Sequence, residues 1–449
     1  MPRKYAIETF GCQMNVHDSE RVVGALDHAG LVPAASAADA DVVVINTCSV
    51  RERAEDKLFS RLGELRATGA GKSRVVAVTG CVAQQRGAAI AARAWGVDVV
   101  AGTQALARIP ELIEKAALSQ SREPLVDIDP YENVAFPLGV VRRSDPVKAY
   151  VTVIEGCNDY CAFCVVPYTR GHERMRPIAD ILREIRHAAA AGHREIHLLG
   201  QIVNHYEAPD DEGCDFALLL ERVSEIEGVA RIRFASPHPR HVTPRLIAAI
   251  RDLPKVCKHV HLPVQSGSTR VLAAMRRRHT RDQYLDLVAR IRGEVPDVAL
   301  STDVIVGFPG ETEADFHQSL SLVEHVRFDG MFSFKYSPRP GTLARQRMPD
   351  DVAEGEKTRR LQALQGLQQG IQLEKHRAQV GLTVRVLVDS TSRKSAQEMS
   401  GRTTGNTVVN LAGERTWLGC FADVLVEGAG PNSLRGRAVW VEPAPAHAS

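Results

Sequence analysis

Residues 149–171, AYVTVIEGCNDYCAFCVVPYTRG, carry a β-branched strand directly into a loop that places Cys157, Cys161 and Cys164 within eight residues. Five further strand candidates follow: EIHLL (195–199), RIRFA (231–235), HVHLP (259–263), VALSTDVIV (298–306) and GMFSFKY (330–336). Between them lie amphipathic stretches such as ADILREIRHAAAAG and RDQYLDLVARIRGEV. Alternation of short β-branched runs with helical periodicity reads as βα units around a parallel sheet. Six units are too few to close an eight-stranded barrel, so the centre of the chain is expected to be an open, partial (βα)6 barrel of the TIM type. Its chemistry belongs at the C-terminal ends of the strands, and the cysteine loop follows the first of them.

The same alternation occupies residues 1 to about 105, where YAIETF, DVVVIN, RVVAVTG and VDVVAGT are each separated by helical stretches, which predicts a second α/β unit with a parallel sheet. Residues 119–147 carry Pro124, Pro130, Pro137 and Pro146 without a clear period and read as a linker. A polar, Gln-rich helix is expected from 352 to about 378. After it VRVLVDS, NTVVNL, FADVLVEGA and RGRAVWVE read as the strands of a small antiparallel β-barrel, and the tail EPAPAHAS reads as disordered. The expected division is therefore 1–119, 143–375 and 376–444.

With 449 residues and 44% hydrophobic content the chain can bury several cores. Fifty-six Lys and Arg against 54 Asp and Glu leave a net charge of +2, so any basic surface for nucleic acid has to be local. No apolar run approaches the length of a membrane span, and the N-terminus lacks a signal-peptide core, so a cytoplasmic, monomeric protein without membrane contact is expected. In that compartment nine cysteines stay reduced, and a cluster of them points to metal or catalysis.

Three cysteines spaced C-x3-C-x2-C are one short of structural zinc, and the plainer reading is a zinc knuckle that His172 completes. A four-iron cubane held by three thiolates keeps one iron open, and that iron can chelate the amino and carboxylate groups of S-adenosylmethionine. A second trio is scattered: Cys12 follows YAIETF, Cys48 follows DVVVIN and Cys81 follows RVVAVTG. Strand C-termini of a parallel sheet share one edge, so these thiols are expected to converge there, against the plainer reading of three separate buried cysteines. Cys214, Cys257 and Cys420 have no such grouping.

These residues resemble the radical S-adenosylmethionine methylthiotransferases. The C-x3-C-x2-C motif with Phe163 before its last cysteine is the superfamily hallmark, and the order of the three domains matches, the last being a TRAM domain. GCQMNVHDSE (11–20), NTCSVRERAEDK (46–57), HLPVQSGS (261–268), DVIVGFPGET (303–312) and FSFKYSPRPGT (332–342) are similar to the branch that modifies tRNA. Gln-Met after the first cysteine differs from the Pro-Lys of the branch that modifies a ribosomal protein and from the Lys-Val of another tRNA branch. The resemblance implies methylthiolation of carbon 2 of N6-isopentenyladenosine beside the anticodon of tRNA. It implies a radical-generating 4Fe-4S cluster on Cys157, Cys161 and Cys164, an auxiliary one on Cys12, Cys48 and Cys81, two molecules of S-adenosylmethionine, an electron donor and a sulfur source. A departure is Gly200-Gln201-Ile202-Val203-Asn204, where the family commonly has Asn at the third position.

Phe163, Gly200, Gln201, Ser236, His238, Gln265 and Asp303 fall at strand ends or in the cysteine loop and are candidates for cofactor contact, each also readable as a loop cap or a satisfied core group. Gly307–Thr312 reads either as a turn with a helix cap or as a contact near the cofactor's adenosine. Arg170, Arg174 and Arg176 follow the cysteine loop, and Arg276, Arg277 and Arg278 form the densest basic run. These six, with Lys394, Arg402 and Arg437 of the last domain, are expected either to be solvated charge or to take phosphates of an RNA loop. The competing class is a non-catalytic, zinc-stabilised RNA-binding protein.

Overall fold

A computed structural model describes residues 3–49, 52–68, 74–94, 96–119, 121, 123–129, 141–392 and 398–443. Lys394, Pro130, Pro137 and most of the tail lie outside the described residues.

The N-terminal unit is a parallel sheet of β1 (Lys4–Phe10), β2 (Val32–Pro33), β3 (Val42–Thr47), β4 (Val75–Gly80), β5 (Val99–Ala101) and β6 (Leu125–Asp127) in the order β2-β1-β3-β4-β5-β6. The central strand β3 is buried along its whole length because helices cover both faces. Its alternate residues part accordingly. Val43 and Ile45 pack with Leu58, Leu62 and Leu65, whereas Val42 and Val44 pack with Val22, Leu26, Ile109 and Ile113. β6 corrects the linker reading, since Leu125–Asp127 pairs in register with β5 despite the neighbouring prolines.

In the central domain β7 (Lys148–Thr152) leads through β8 (Ile154–Glu155), the cysteine loop and β9 (Arg174–Met175) to β10 (Glu195–Leu199) and β11 (Arg231–Phe234). β12 (His259–His261), β13 (Ala299–Val306) and β14 (Gly330–Lys335) form a second parallel sheet. The two sheets, β11-β10-β7 and β12-β13-β14, are joined where Ile232 bridges Val256, with Ile232 N donating to Lys255 O (2.8 Å) and Cys257 N to Ile232 O (2.9 Å). This is the open six-stranded barrel that six βα units allow. Outward residues such as Ile196, Leu198, Ile232, Val260 and Leu300 meet the surrounding helices in one core.

The alternate positions are polar and bond to one another. Glu195 takes His197 Nε2 (2.6 Å) and Arg233 Nε (3.0 Å), and Ser301 Oγ lies 2.9 Å from both His259 Nε2 and His261 Nδ1.

Helix Glu354–Arg377 has little amphipathic contrast by sequence, yet Leu364 and Ile371 enter the same core and Gln368 donates to Phe328 O (2.9 Å). β15 (Thr383–Thr391), β16 (Glu398–Thr403), β17 (Val408–Ala412), β18 (Phe421–Ala429) and β19 (Leu434–Val441) then close a five-stranded barrel. Two details differ from the sequence reading. β16, whose EMSGRT lacks a β-branched run, is an additional strand, and β17 pairs with β19 in parallel, which closes a barrel whose other pairs are antiparallel.

The small barrel sits against the beginnings of the central strands through main-chain acceptors and ion pairs. Arg233 donates to Thr403 O (2.7 Å) and Thr404 O (3.2 Å), Arg231 to Arg402 O, and Arg194 pairs with Glu442 (2.5 Å). Arg233 and Glu195 are both buried, so removing one partner leaves an uncompensated charge. Glu195→Ala should cost about 3–5 kcal/mol. Denaturation followed by fluorescence of Trp417 and Trp440 in the small barrel should show an earlier midpoint and an early loss of its docking.

Candidate metal centres

The cysteine loop is clamped at both ends. Gly156 has φ +83°, and a Cβ there would stand 2.1 Å from His172 O, so only glycine admits this turn. Cys157 N donates to Gly171 O (3.1 Å), and Gly156 N donates to Gln201 Oε1 (2.5 Å) at the end of β10. In the middle, Ala162 N bonds Met275 O (2.9 Å) and Ala162 O receives Ala344 N (2.8 Å), while Phe163 packs beside Phe308, Met275 and Tyr336. Each sulfur accepts one N–H: Cys157 from Asp159 N (3.5 Å), Cys164 from Val166 N (3.5 Å) and Cys161 from Arg277 Nη1 (3.6 Å). Such bonds orient thiolate ligands and tune the potential of what they hold. Burial pushes the Cys157 and Cys164 thiols up to about 12, so a bound cation has to supply the charge that ionises them.

The second trio meets at the C-terminal edge of the first sheet. Cys12 caps helix Gln13–His28, Cys48 follows β3 with its N–H on Phe10 O (2.9 Å), and Cys81 opens helix Cys81–Arg86 after β4. The Cys48 thiol hydrogen-bonds both others. These bonds lower the Cys12 and Cys81 thiols, helped by the nearby charge of Arg170 against the opposing effect of burial, and hold Cys48 well above the usual thiol range. Asn15 and Asn46 lock the turn: Cys12 Sγ donates to Asn15 Oδ1 (3.3 Å), and Asn15 Nδ2 donates to Asn46 Oδ1 (2.9 Å). Gly80, at φ +92°, leaves room for Asn46, whose Oδ1 would lie 2.3 Å from a Cβ.

Three family profiles cover this architecture: one described as an uncharacterized protein family, UPF0004, over residues 4–102, the Radical SAM superfamily over 151–323, and the TRAM domain over 377–439. The chain is 49% identical over 444 residues to a tRNA-2-methylthio-N(6)-dimethylallyladenosine synthase of Thiobacillus denitrificans, covering 98% of this chain and 99% of the relative. It is 48% identical over 446 residues to one of Chromobacterium violaceum, covering 98% and 100%. The chain belongs to the tRNA-2-methylthio-N(6)-dimethylallyladenosine synthase family. Among solved structures, a radical S-adenosylmethionine methyltransferase, TsrM, from Kitasatospora setae shares the fold, with TM-score 0.57 at 14% identity over 77% of each chain.

For a chain of this synthase family, the geometry of each trio decides whether it suits a cluster. Among the described residues no three His, Cys, Asp or Glu side chains are set to grip a single metal ion. A four-iron cubane spreads its thiolates wider than one ion does, so convergence, N–H donors and local charge are the relevant tests. The cysteine loop offers an N–H to every sulfur, the second trio converges at the edge of its sheet with the charge of Arg170 nearby, and none of the nine cysteines is disulfide-bonded.

The strand-end candidates separate by role. Gln201 buttresses the cysteine loop, as described. Ser236 (φ +61°) and Gln265 (φ +74°) hold left-handed backbone conformations at the ends of β11 and β12, a strain typical of functional loops. His238 is buried, and Asn204 pins its backbone through His238 N (2.8 Å) and His238 O (3.0 Å), leaving Nε2 without a hydrogen bond and 3.7 Å from Asp159 Oδ2. Burial holds its imidazole neutral, far below the usual range. Asp303 lies 3.4 Å from His261 Nε2. Gly200 packs on Ile154, where a Cβ would meet Cγ2 at 2.2 Å, so its small size serves packing. Ile202 is buried, so the departure from the family pattern places its side chain in the protein interior. Gly307–Thr312 is a cap: Thr312 and Asp315 form a capping box, and Phe308 is buried beneath the cysteine loop.

The arginines need correcting. Arg170 (5% exposed), Arg176 (3%) and Arg277 (6%) are buried and do not reach an RNA phosphate. Arg170 pairs with Asp18 (2.5 Å), Arg176 with Glu184 (2.6 Å), and Arg277 reaches Cys161 and Pro263 O (2.9 Å). Arg174 pairs with Glu155 (3.1 Å) and is half-buried. Arg276 and Arg278 are exposed. In the small barrel Arg402 is half-buried against Asp389 (3.3 Å), and Arg437 pairs with Glu427 (3.1 Å) at the surface.

Asn15, Asp18, Arg21, Asn46 and Glu155 are site residues that the sequence reading missed. Consecutive charges such as those of HDSER look like a solvated helix face, and their only flag was adjacency to Cys12. Gly156→Ala should collapse the cysteine loop against His172. Anaerobic reconstitution should then load less iron than the wild type, measured by iron assay on protein whose circular dichroism is unchanged.

Proposed function

We propose that the chain is a tRNA methylthiotransferase that adds a methylthio group to carbon 2 of N6-(dimethylallyl)adenosine beside the anticodon. The observation that carries this reading is the pairing of two three-thiol sites at the C-terminal edges of two adjoining parallel sheets, within a chain nearly half identical to the synthases along its length. Cys157, Cys161 and Cys164 would hold one 4Fe-4S cluster and Cys12, Cys48 and Cys81 the other. When bound, the clusters and two molecules of S-adenosylmethionine supply a 5′-deoxyadenosyl radical and a transferable methylthio group, the hard chemistry that cofactors bring to such folds.

The chain's residues position and shield. Gln201, Arg277 and Ala162 fix the radical loop. Ser236, Gln265 and the neutral His238 lie past strand ends where a barrel receives ligands, and Asp303, placed by its sequence context at a strand end, instead lies within β13 and lines the barrel from there. These tasks fall to the first unit, which runs past 119 to include β6, and to the central domain, while the small barrel that follows helix Glu354–Arg377 holds the RNA.

A base in an RNA loop has to be splayed out to be modified, and its neighbours need stacking surfaces and cations. The exposed Tyr168, stacked edge-on with Tyr160 at 6.0 Å, and the exposed Arg276 and Arg278 supply these beside the cysteine loop. Arg402, Arg437 and the half-exposed Trp440 offer a similar face on the small barrel. An electron donor and a sulfur source complete the reaction. No helix among the described residues is long and apolar enough to cross a membrane, and we place the protein in the cytoplasm as a monomer.

Mass spectrometry of tRNA nucleosides from a deletion strain tests the substrate: the methylthio form should vanish and the unmodified isopentenyl form accumulate. Anaerobically purified protein should carry about eight irons; colourless, zinc-loaded protein would sink the reading. Cys12→Ala should still form 5′-deoxyadenosine while losing methylthiolation, checked by chromatography of both products.

A further inference from the structure

Helix Gln13–His28 begins at Cys12, and most of its buried face is polar: Asn15, His17, Asp18, Ser19, Glu20 and Arg21 are all covered. It faces the central domain. Arg170 ends the short helix Val166–Arg170 that follows Cys164, and that helix packs against the helix opened by Cys81. Its side chain crosses the seam and bonds Asp18 Oδ2 at 2.5 Å. Arg21 Nη1 lies 3.9 Å from the other Asp18 oxygen and 3.0 Å from Glu155 Oε1, and Glu155 Oε2 takes Arg174 Nη2 at 3.1 Å. Thr103 Oγ1 donates to Thr169 O (2.5 Å) from the first domain's side. Both ends of the radical loop, at Glu155 and at Thr169–Arg170, are thus tied to the first domain, and two of those ties reach the helix that starts at the other trio.

We infer that Arg170 is a positioning residue that fixes the separation of the two cluster sites and places a permanent positive charge beside the auxiliary one. This rests on the two-cluster reading. The guanidinium suits both tasks: its planar fork holds a carboxylate in one geometry, and its charge persists when buried. A cation beside a cluster stabilises the more negative, reduced state, so its loss moves the potential down.

The test uses two backgrounds. In Cys157→Ala/Cys161→Ala/Cys164→Ala protein only the auxiliary site can load, and EPR-monitored redox titration reads its midpoint. Arg170→Gln should shift that midpoint to lower potential, and Arg170→Lys should restore most of it. In protein with both sites intact, pulsed dipolar EPR between the reduced clusters should give a broadened separation for Arg170→Gln and for Asp18→Asn, which removes the tie but keeps the cation. If Arg170→Gln fails to fold, Asp18→Asn carries the distance test, and the double variant Arg170→Gln/Asp18→Asn, which leaves no unpaired partner of this ion pair, carries the potential test by its midpoint relative to Asp18→Asn alone. A parental midpoint in Arg170→Gln overturns the electrostatic role, and parental distance distributions in both variants overturn the positioning role. A triple-cysteine variant that binds no iron would instead overturn the two-cluster reading itself.

Discussion

A guanidinium buried beside two thiols and a carboxylate cannot be left half-paired, because an uncompensated charge in a protein interior costs several kcal/mol. The seam between the first two domains is organised around meeting that demand for Arg170. Asp18 neutralises it, Arg21 sits against Asp18, and Glu155 lies between Arg21 and Arg174, so positive and negative groups alternate across the boundary. Apolar packing alone would allow the two sheets to slide past each other. Directional charged pairs at these distances do not, and they bind residues within two positions of Cys157 to the first turns after Cys12.

Around that seam the two trios are built by different means. The radical loop is a compact motif made rigid by its own hydrogen bonds, with each sulfur receiving an N–H and a glycine turn at its entrance. The N-terminal trio has no local motif. It exists because β1, β3 and β4 run parallel and end together, so thiols 36 and 33 positions apart become hydrogen-bonded neighbours. Its geometry is as firm as the sheet that carries it, and the buried valines of β3 therefore contribute to the site as directly as Asn15 and Asn46 do.

Much of this was legible in the sequence, for stated reasons. Strands such as EIHLL and VALSTDVIV announce themselves because the outward positions of a barrel strand must be apolar to meet helices, and Cys12, Cys48 and Cys81 could be grouped because parallel strands share an edge. The direction of the charges was not legible. Arg170, Arg176 and Arg277 have the same local signature as the exposed Arg276 and Arg278, and only tertiary packing separates a cation that serves the cluster loop from one that meets solvent. β6 was masked by the prolines near it, and β16 because a strand of Met, Ser, Gly and Arg is stabilised by its neighbours in a closed barrel and not by its own propensity. The parallel closure of β17 on β19 has no sequence signal at all.

The docking of the small barrel has a consequence for how this surface can diversify. Arg231 and Arg233 grip carbonyl oxygens of residues 402–404, not side chains. A main-chain acceptor is the same whatever amino acid presents it, so these bonds are indifferent to the side chains at 402 and 403, whereas position 404 is constrained because Thr404 Oγ1 also accepts Lys258 N (2.9 Å). Positions 402 and 403 can therefore drift in charge and shape without loosening these bonds, which separates the freedom of that strand's side chains to change from the obligation of its backbone to stay attached.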